Sequence, residues 1–185
     1  MAPNPEKREA LEARLAAHVL AHGLGQTSLR QLAAAAGTSD RMLLYYYADK
    51  AALLGAVLTR LAADMANGLA AALPAGDRLP AADLLARVGA LAAQPGFRPY
   101  MSLWAEIAAE AGRGAQPFAM IATTIAGGFV YWVDERLAEP DPVRRRDLAA
   151  LLIAVIDGAA LLAPLGDGAI ATRAMGALQG LLAAS

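Results

Sequence analysis

The sequence has no cysteine, so it can form neither a disulfide framework nor a thiolate metal site. It has few β-branched runs and long stretches of Ala and Leu, a composition that favours helix over sheet. It also lacks an excess of either charge. The formal net charge is −1, and residues 1–50 carry six Lys/Arg against five Asp/Glu. Any contact with nucleic acid must therefore depend on a few placed cations and not on a broad basic field. Histidine is confined to His18 and His22, four residues apart. That spacing permits a metal pair on one helix face, but no further ligand stands beside it in sequence, and no metal or cofactor is expected. Glu-x-x-His pairs are absent, as is any nucleophile–base–orienter set, so an enzyme is not expected. Met1 to Glu12 holds no apolar run, and a secretory leader is not expected there. One uncharged stretch, Gly114 to Val133, is twenty residues long, about the length that spans a bilayer. Its Gln116, Pro117, Thr123, Thr124, Gly127 and Gly128 fit a buried interface helix better.

What is present is helical periodicity with clear punctuation. Leu11, Leu15, Val19 and Leu20 recur on one face of a helix expected over Pro5 to His22, which Gly23 and Gly25 end. Thr27 or Ser28 caps a short helix, Leu29 to Ala35. Gly37 makes a turn, and Ser39 caps the next helix, Asp40 to about Tyr46. Asp49 caps a long helix running from Lys50 to about Leu73. Pro74, Gly76 and Pro80 mark a boundary. Helices are then expected at about 81–93, 97–112, 116–138, 143–163 and 169–183, the last with Met175, Leu178, Leu181 and Leu182 on one face. No repeat of solenoid length occurs. The expected fold class is all-α.

The segment TSLRQLAAAAGTSDRMLLYYYADK supplies every part of a helix-turn-helix. Such a unit needs two short helices at a steep angle, with the second free to enter the major groove. Leu29, Leu32 and Ala33 form the inner face of its first helix, Ala36 allows close approach, and Gly37 permits the turn. Leu43 and Tyr47, four apart, face inward from the second helix. Asp40, Arg41, Leu44 and Tyr45 then face outward. Large apolar side chains there are odd on a solvated helix and natural on one that fits a groove. With Thr27, Leu32, Ala33, Gly37, Ser39, Leu43, Tyr47 and Lys50 in these positions, the segment resembles the TetR family of bacterial regulators over about the first 60 residues. Leu44 departs from that pattern, which usually has Tyr there, with the aromatics displaced here to Tyr45 and Tyr46.

The resemblance implies a three-helix DNA-binding domain over 1–50, with the helix 50–73 as connector, and an effector-binding and dimerisation domain over 74–185. It implies a ligand-responsive regulator, a repressor by family default, that acts in the cytoplasm and binds a palindromic duplex operator as a homodimer. Candidate DNA contacts are Ser28, Arg30, Ser39, Asp40, Arg41, Leu44, Tyr45 and Lys50. Among them Arg41 and Arg30 suit guanine or phosphate, Tyr45 suits phosphate, and Ser28 and Lys50 stand at helix starts that favour phosphate.

In the C-terminal part, Phe97, Tyr100, Met101 and Trp104 cluster at a helix start with Met120 as a further candidate, the aromatic and Met composition of an adaptable effector pocket. Glu106 and Glu110 share a face, as solvated charges or as partners for a cationic effector. A dimer face is expected on Ile121, Ile125, Gly128 and Trp132 of one helix and on Leu148, Leu152, Val155 and Leu162 of another, with Asp157 inside the second seam. Two such helices from each chain would build a four-helix bundle. The rival is a helical interaction module without DNA binding.

Overall fold

Gly, Pro and small capping residues cut this Ala/Leu-rich chain into helices. The computed structural model describes residues 5–74, 76, 78–165 and 168–184. Among these lie α1 (Pro5–His22), α2 (Leu29–Ala36), α3 (Asp40–Tyr46), α4 (Lys50–Ala72), α5 (Ala81–Ala92), α6 (Arg98–Gly112), α7 (Phe118–Asp134), α8 (Pro142–Leu162) and α9 (Ala169–Ala183). A 3-10 turn, Leu24–Gln26, follows α1. No strand occurs among the described residues, and the fold is all-α. None of these helices is long and apolar enough to cross a membrane.

The caps act as the residue types require. The Asp49 carboxylate accepts from Ala52 N at 2.7 Å at the start of α4, and that of Asp141 accepts from Val143 N at 2.8 Å at the start of α8. Each satisfies a backbone donor that the first helical turn leaves without a partner. Pro142, in the first turn of α8, has no N–H to satisfy.

The chain forms two compact units, Met1–Ala66 with Leu103–Thr123, and Asn67–Ser102 with Thr124–Ser185. In the first, Leu15, Val19, Leu32, Leu43, Leu53, Val57 and Leu58 are buried, joined by Ile107 of α6. In the second, α5, α8 and α9 pack on one another around Leu84, Leu85, Val88, Ala149, Leu152 and Ile156, with Leu73, Val133 and Leu137.

α7 stops at Asp134, four residues short of the helix expected from the sequence. The reason is a pairing with a segment distant in sequence. Leu79 N donates to Arg136 O, and Ala138 N donates to Leu79 O, both at 2.8 Å, forming a short parallel bridge. Those backbone groups are used across the chain, so they cannot also continue the helix. The face expected on α9 is also partly revised. Met175, Leu178 and Leu182 pack against the core, but Leu181 points to solvent.

Arg136 fastens this corner. Its guanidinium is buried, donates to Leu73 O at 3.1 Å and Trp132 O at 3.0 Å, and lies 4.0 Å over the Trp132 ring. Burial pushes its pKa below the ordinary arginine value. The carbonyl oxygens and the ring face offset part of the desolvation that a buried cation incurs. Nearby, Arg145 Nε donates to Asp134 Oδ2 at 3.2 Å and joins the end of α7 to the start of α8. Replacing Arg136 with Leu removes both hydrogen bonds and leaves buried carbonyls with fewer donors. We expect a loss of about 2–4 kcal/mol in unfolding free energy, read as a lower urea midpoint at unchanged slope.

Candidate nucleic-acid interface

The helix-turn-helix builds itself from α2 outward. Ser28 is the N-cap of α2, its Oγ accepting from Gln31 N at 3.3 Å while Gln31 Oε1 accepts from Ser28 N at 3.0 Å, a reciprocal capping box. Thr27, buried, donates its hydroxyl to Leu24 O and so takes no part in that cap. α2 ends at Gly37, whose φ of 66° lies in the left-handed region. Gly37 N reaches Ala34 O, and Thr38 N reaches Ala33 O at 2.9 Å. These two bonds close a Schellman-type stop, which a residue with a side chain enters only with strain. Arg14 of α1 donates to Ala36 O at 3.1 Å and so pins the end of α2 to α1. Ser39 then caps α3, accepting from Met42 N.

Two inward anchors fix the rotation of α3 about its axis. Leu43 is fully buried and Tyr47, its C-cap, is 4% exposed. The Tyr47 hydroxyl donates to Glu12 Oε1 at 3.0 Å, and Arg8, 3.0 Å from the same oxygen, lies 5.2 Å from the Tyr47 ring centre. Burial first, and then the Glu12 hydrogen bond, push the Tyr47 pKa up to about 12.

With those anchors inward, Asp40, Arg41, Met42, Leu44 and Tyr45 are all exposed. At about 100° per residue, Arg41 and Tyr45 stand opposite Leu43, with Leu44 on one flank and Met42 on the other. Ser28, Arg30, Ser39 and Lys50 are also exposed, on α2 and at the starts of α3 and α4. The structure thus brings all eight expected contacts onto the surface of one unit. Met42, at 41% exposure, belongs beside them. Its place on the outward flank follows from the spacing to Leu43, which was the signal available in the sequence.

Glu106 has a different place from either role considered for it. Its Oε2 accepts from Leu24 N at 2.7 Å, across 82 residues of chain. Gly23, the residue before, has φ 68°, and a Cβ there would overlap the Glu106 carboxylate. A carboxylate of α6 therefore caps the 3-10 turn that leads to α2. Glu110 instead pairs with Arg113. The histidines are held by backbone carbonyls. His18 Nε2 donates to Gln26 O at 3.1 Å, and His22 Nδ1 donates to His18 O at 2.9 Å, with the rings stacked at 4.5 Å. No cluster of three His, Cys, Asp or Glu able to hold a metal occurs among the described residues.

The residues expected to line an effector pocket divide between the units. Phe97, Tyr100 and Met101 belong to the second unit, and Trp104 and Met120 to the first. Phe97 is half-buried and packs on Gly68 of α4, with its ring 6.5 Å from that of Tyr100. Met101 packs against the apolar core, Trp104 is half-buried, and Met120 is exposed.

The residues expected at a dimer face also have mixed positions. Leu152 is 1% exposed and lies in the core of its own chain, so it is not available to a partner, while Leu148 is half-buried and packs against that core. Ile121 is buried, and Trp132 packs on the core and under Arg136. Ile125, Val155 and Leu162 are half-buried, and Gly128 is exposed. The α8 face turned to solvent carries Val143, Leu151 and Leu161, and that of α9 carries Ile170 and Leu181.

Among the described residues the chain is helical throughout its regular elements, with a short helix-turn-helix near its N-terminus. Residues 14–57 match the family model for bacterial regulatory proteins of the tetR family. The whole chain is similar in structure to a transcriptional regulator from Rhodococcus sp. Rha1, at 25% identity and TM-score 0.72, over 95% of this chain and 93% of that one. It is similar to a Rhodococcus sp. protein assigned to the TetR-family transcriptional regulators, at 20% identity and TM-score 0.71, over 97% and 100%. A third similarity, at 22% identity and TM-score 0.65 over 92% and 90%, is to the multidrug binding protein EbrR complexed with imidazole. No curated protein matches the sequence significantly. The helix-turn-helix segment thus matches the tetR-family model, and the chain shares the fold of solved transcriptional regulators.

The Tyr47 anchor has a pH signature. Its pKa rises from the ordinary 10.0 to about 12 in the fold. The protonated phenol is therefore favoured by folding. That contribution is fully present below pH 10 and is lost as pH rises through about 12. Thermal melts across that window are expected to fall more steeply for the native chain than for Tyr47→Phe, whose curve lacks this phenol.

Proposed function

We propose that this protein is a ligand-responsive transcriptional repressor that binds a palindromic DNA operator as a homodimer in the cytoplasm. The observation that carries the reading is the outward face of α3. It presents Arg41 and Tyr45 opposite a fully buried Leu43, on a helix small enough to enter a major groove. Arg41 supplies the base contact, with guanine as the geometric match to its paired donors. Arg30, Lys50, Ser28 and Tyr45 supply phosphate contacts that position α3, and Ser39 and Asp40 stand at its start.

The module has little net charge, so affinity comes from two copies acting together. A dimer would set two recognition helices about 34–36 Å apart, one turn of duplex. The solvent-facing Leu151 and Leu161 of α8 and Ile170 and Leu181 of α9 are the apolar surface best suited to that contact. Paired across a two-fold axis, these helices would form a four-helix bundle. A small effector is supported by the likeness to EbrR, a multidrug binding protein, and by the aromatic and Met side chains of α6. Such a ligand relieves repression only by favouring a spacing of the recognition helices that the operator does not fit.

Arg41→Ala is expected to weaken operator binding by about 1–3 kcal/mol with the melting temperature unchanged. Fluorescence anisotropy on a duplex selected from a random pool measures it. An unaltered affinity removes Arg41 from the interface. Leu161→Glu places a charge on the proposed dimer surface, and light scattering should then report a monomer. The same variant should lose operator binding by at least tenfold at matched concentration, because each half-site contact alone is weak.

A further inference from the structure

The outward face of α3 carries more apolar surface than a phosphate contact needs. Met42, Leu44 and Tyr45 are 41%, 46% and 49% exposed, on a helix of seven residues. Scattered apolar residues on a surface are ordinary, but three on two turns are a patch. The helix is about 10 Å long, close to the width of a major groove and far too short for a stable protein interface. Arg41 lies on the same outward face between Leu44 and Tyr45, and exposed Arg30 and Lys50 belong to the same compact unit, so cations that suit a phosphate backbone accompany the patch. Its occupant is therefore the groove wall of duplex DNA.

What that wall must present follows from the side chains. The one apolar group on a base edge in the major groove is the C5-methyl of thymine. Adenine is read by Asn or Gln and cytosine by an acidic acceptor. α3 has no Asn or Gln, and its only carboxylate is Asp40 at the start. Leu44 and Met42 flank Arg41 on opposite sides. Resting on the proposed DNA-binding role, we infer that Leu44 and Met42 read thymine methyl groups, so that each operator half-site carries thymine beside the base read by Arg41. Leu44 thus acts as a specificity residue where the resembling family usually places a Tyr.

The test uses the full chain and a duplex selected from a random pool. Each thymine of the selected site is replaced in turn by deoxyuridine, which removes the methyl and leaves every hydrogen-bonding group in place. Loss of one buried methyl should lower affinity about three- to fivefold at one or two positions per half-site. In Leu44→Ala or Met42→Ala, one of those positions should become indifferent to the methyl, while Arg41→Ala should retain both effects. Both side chains are exposed, so melting temperatures should not move. A site that tolerates deoxyuridine everywhere overturns the inference and leaves the regulator reading standing. So does methyl sensitivity that persists in both alanine variants. Failure to enrich any duplex overturns the regulator reading itself.

Discussion

The hydroxyl of Tyr47 reaches back across 35 residues to Glu12, and the usefulness of α3 depends on that contact together with the burial of Leu43. A seven-residue helix has too few internal hydrogen bonds to hold its own orientation. Rotation by one residue would turn Arg41 away and bring Leu43 to the surface. Tyr47 opposes this in two ways. Its ring is packed out of water, and its oxygen has a partner that Arg8 in turn holds. A small apolar core of α1, α2 and α3 thus specifies which side chains face outward.

The electrostatics complement this precision. With six cationic and five acidic residues in its first fifty, the module has little long-range pull on a polyanion. Proteins that neutralise many phosphates bind everything with moderate strength. One that neutralises few depends on register, symmetry and the fit of uncharged groups. Exposed Leu44 and Met42 belong with that economy, because an apolar contact gains nothing from a mismatched neighbour.

Helix boundaries were legible in the sequence wherever a side chain acts on its own neighbourhood. Ser28, Gly37, Ser39 and Asp49 act within three or four residues, and their chemistry is readable from type and spacing. The outward face of α3 was legible for the same reason, since Leu43 and Tyr47 fix it by periodicity. Contacts distant in sequence were not. The Arg14 contact to Ala36 O, the Glu106 cap on Leu24 and the Arg136 clamp join segments that no local pattern relates. The end of α7 was missed because a backbone bridge to Leu79 stops it where side chains would have let it continue. On α8 the failure was one of ambiguity. Leu residues fall on both sides of an Ala-rich helix, and periodicity alone cannot tell a face that meets its own chain from one that meets another. Leu152 met its own chain.

The Glu106 contact also bears on how the protein can be divided. Leu103–Thr123 belongs to the same compact unit as the first sixty-six residues. The amide that opens the turn before α2 finds its acceptor there and not in the N-terminal segment. A fragment ended after α4 would keep every side chain of the reading face but lose that acceptor and the buried Ile107 beside it. The boundary of the unit that carries the proposed DNA-reading face is thus spatial and not sequential. Grafting it onto another scaffold would require carrying a second, later stretch of chain along with it.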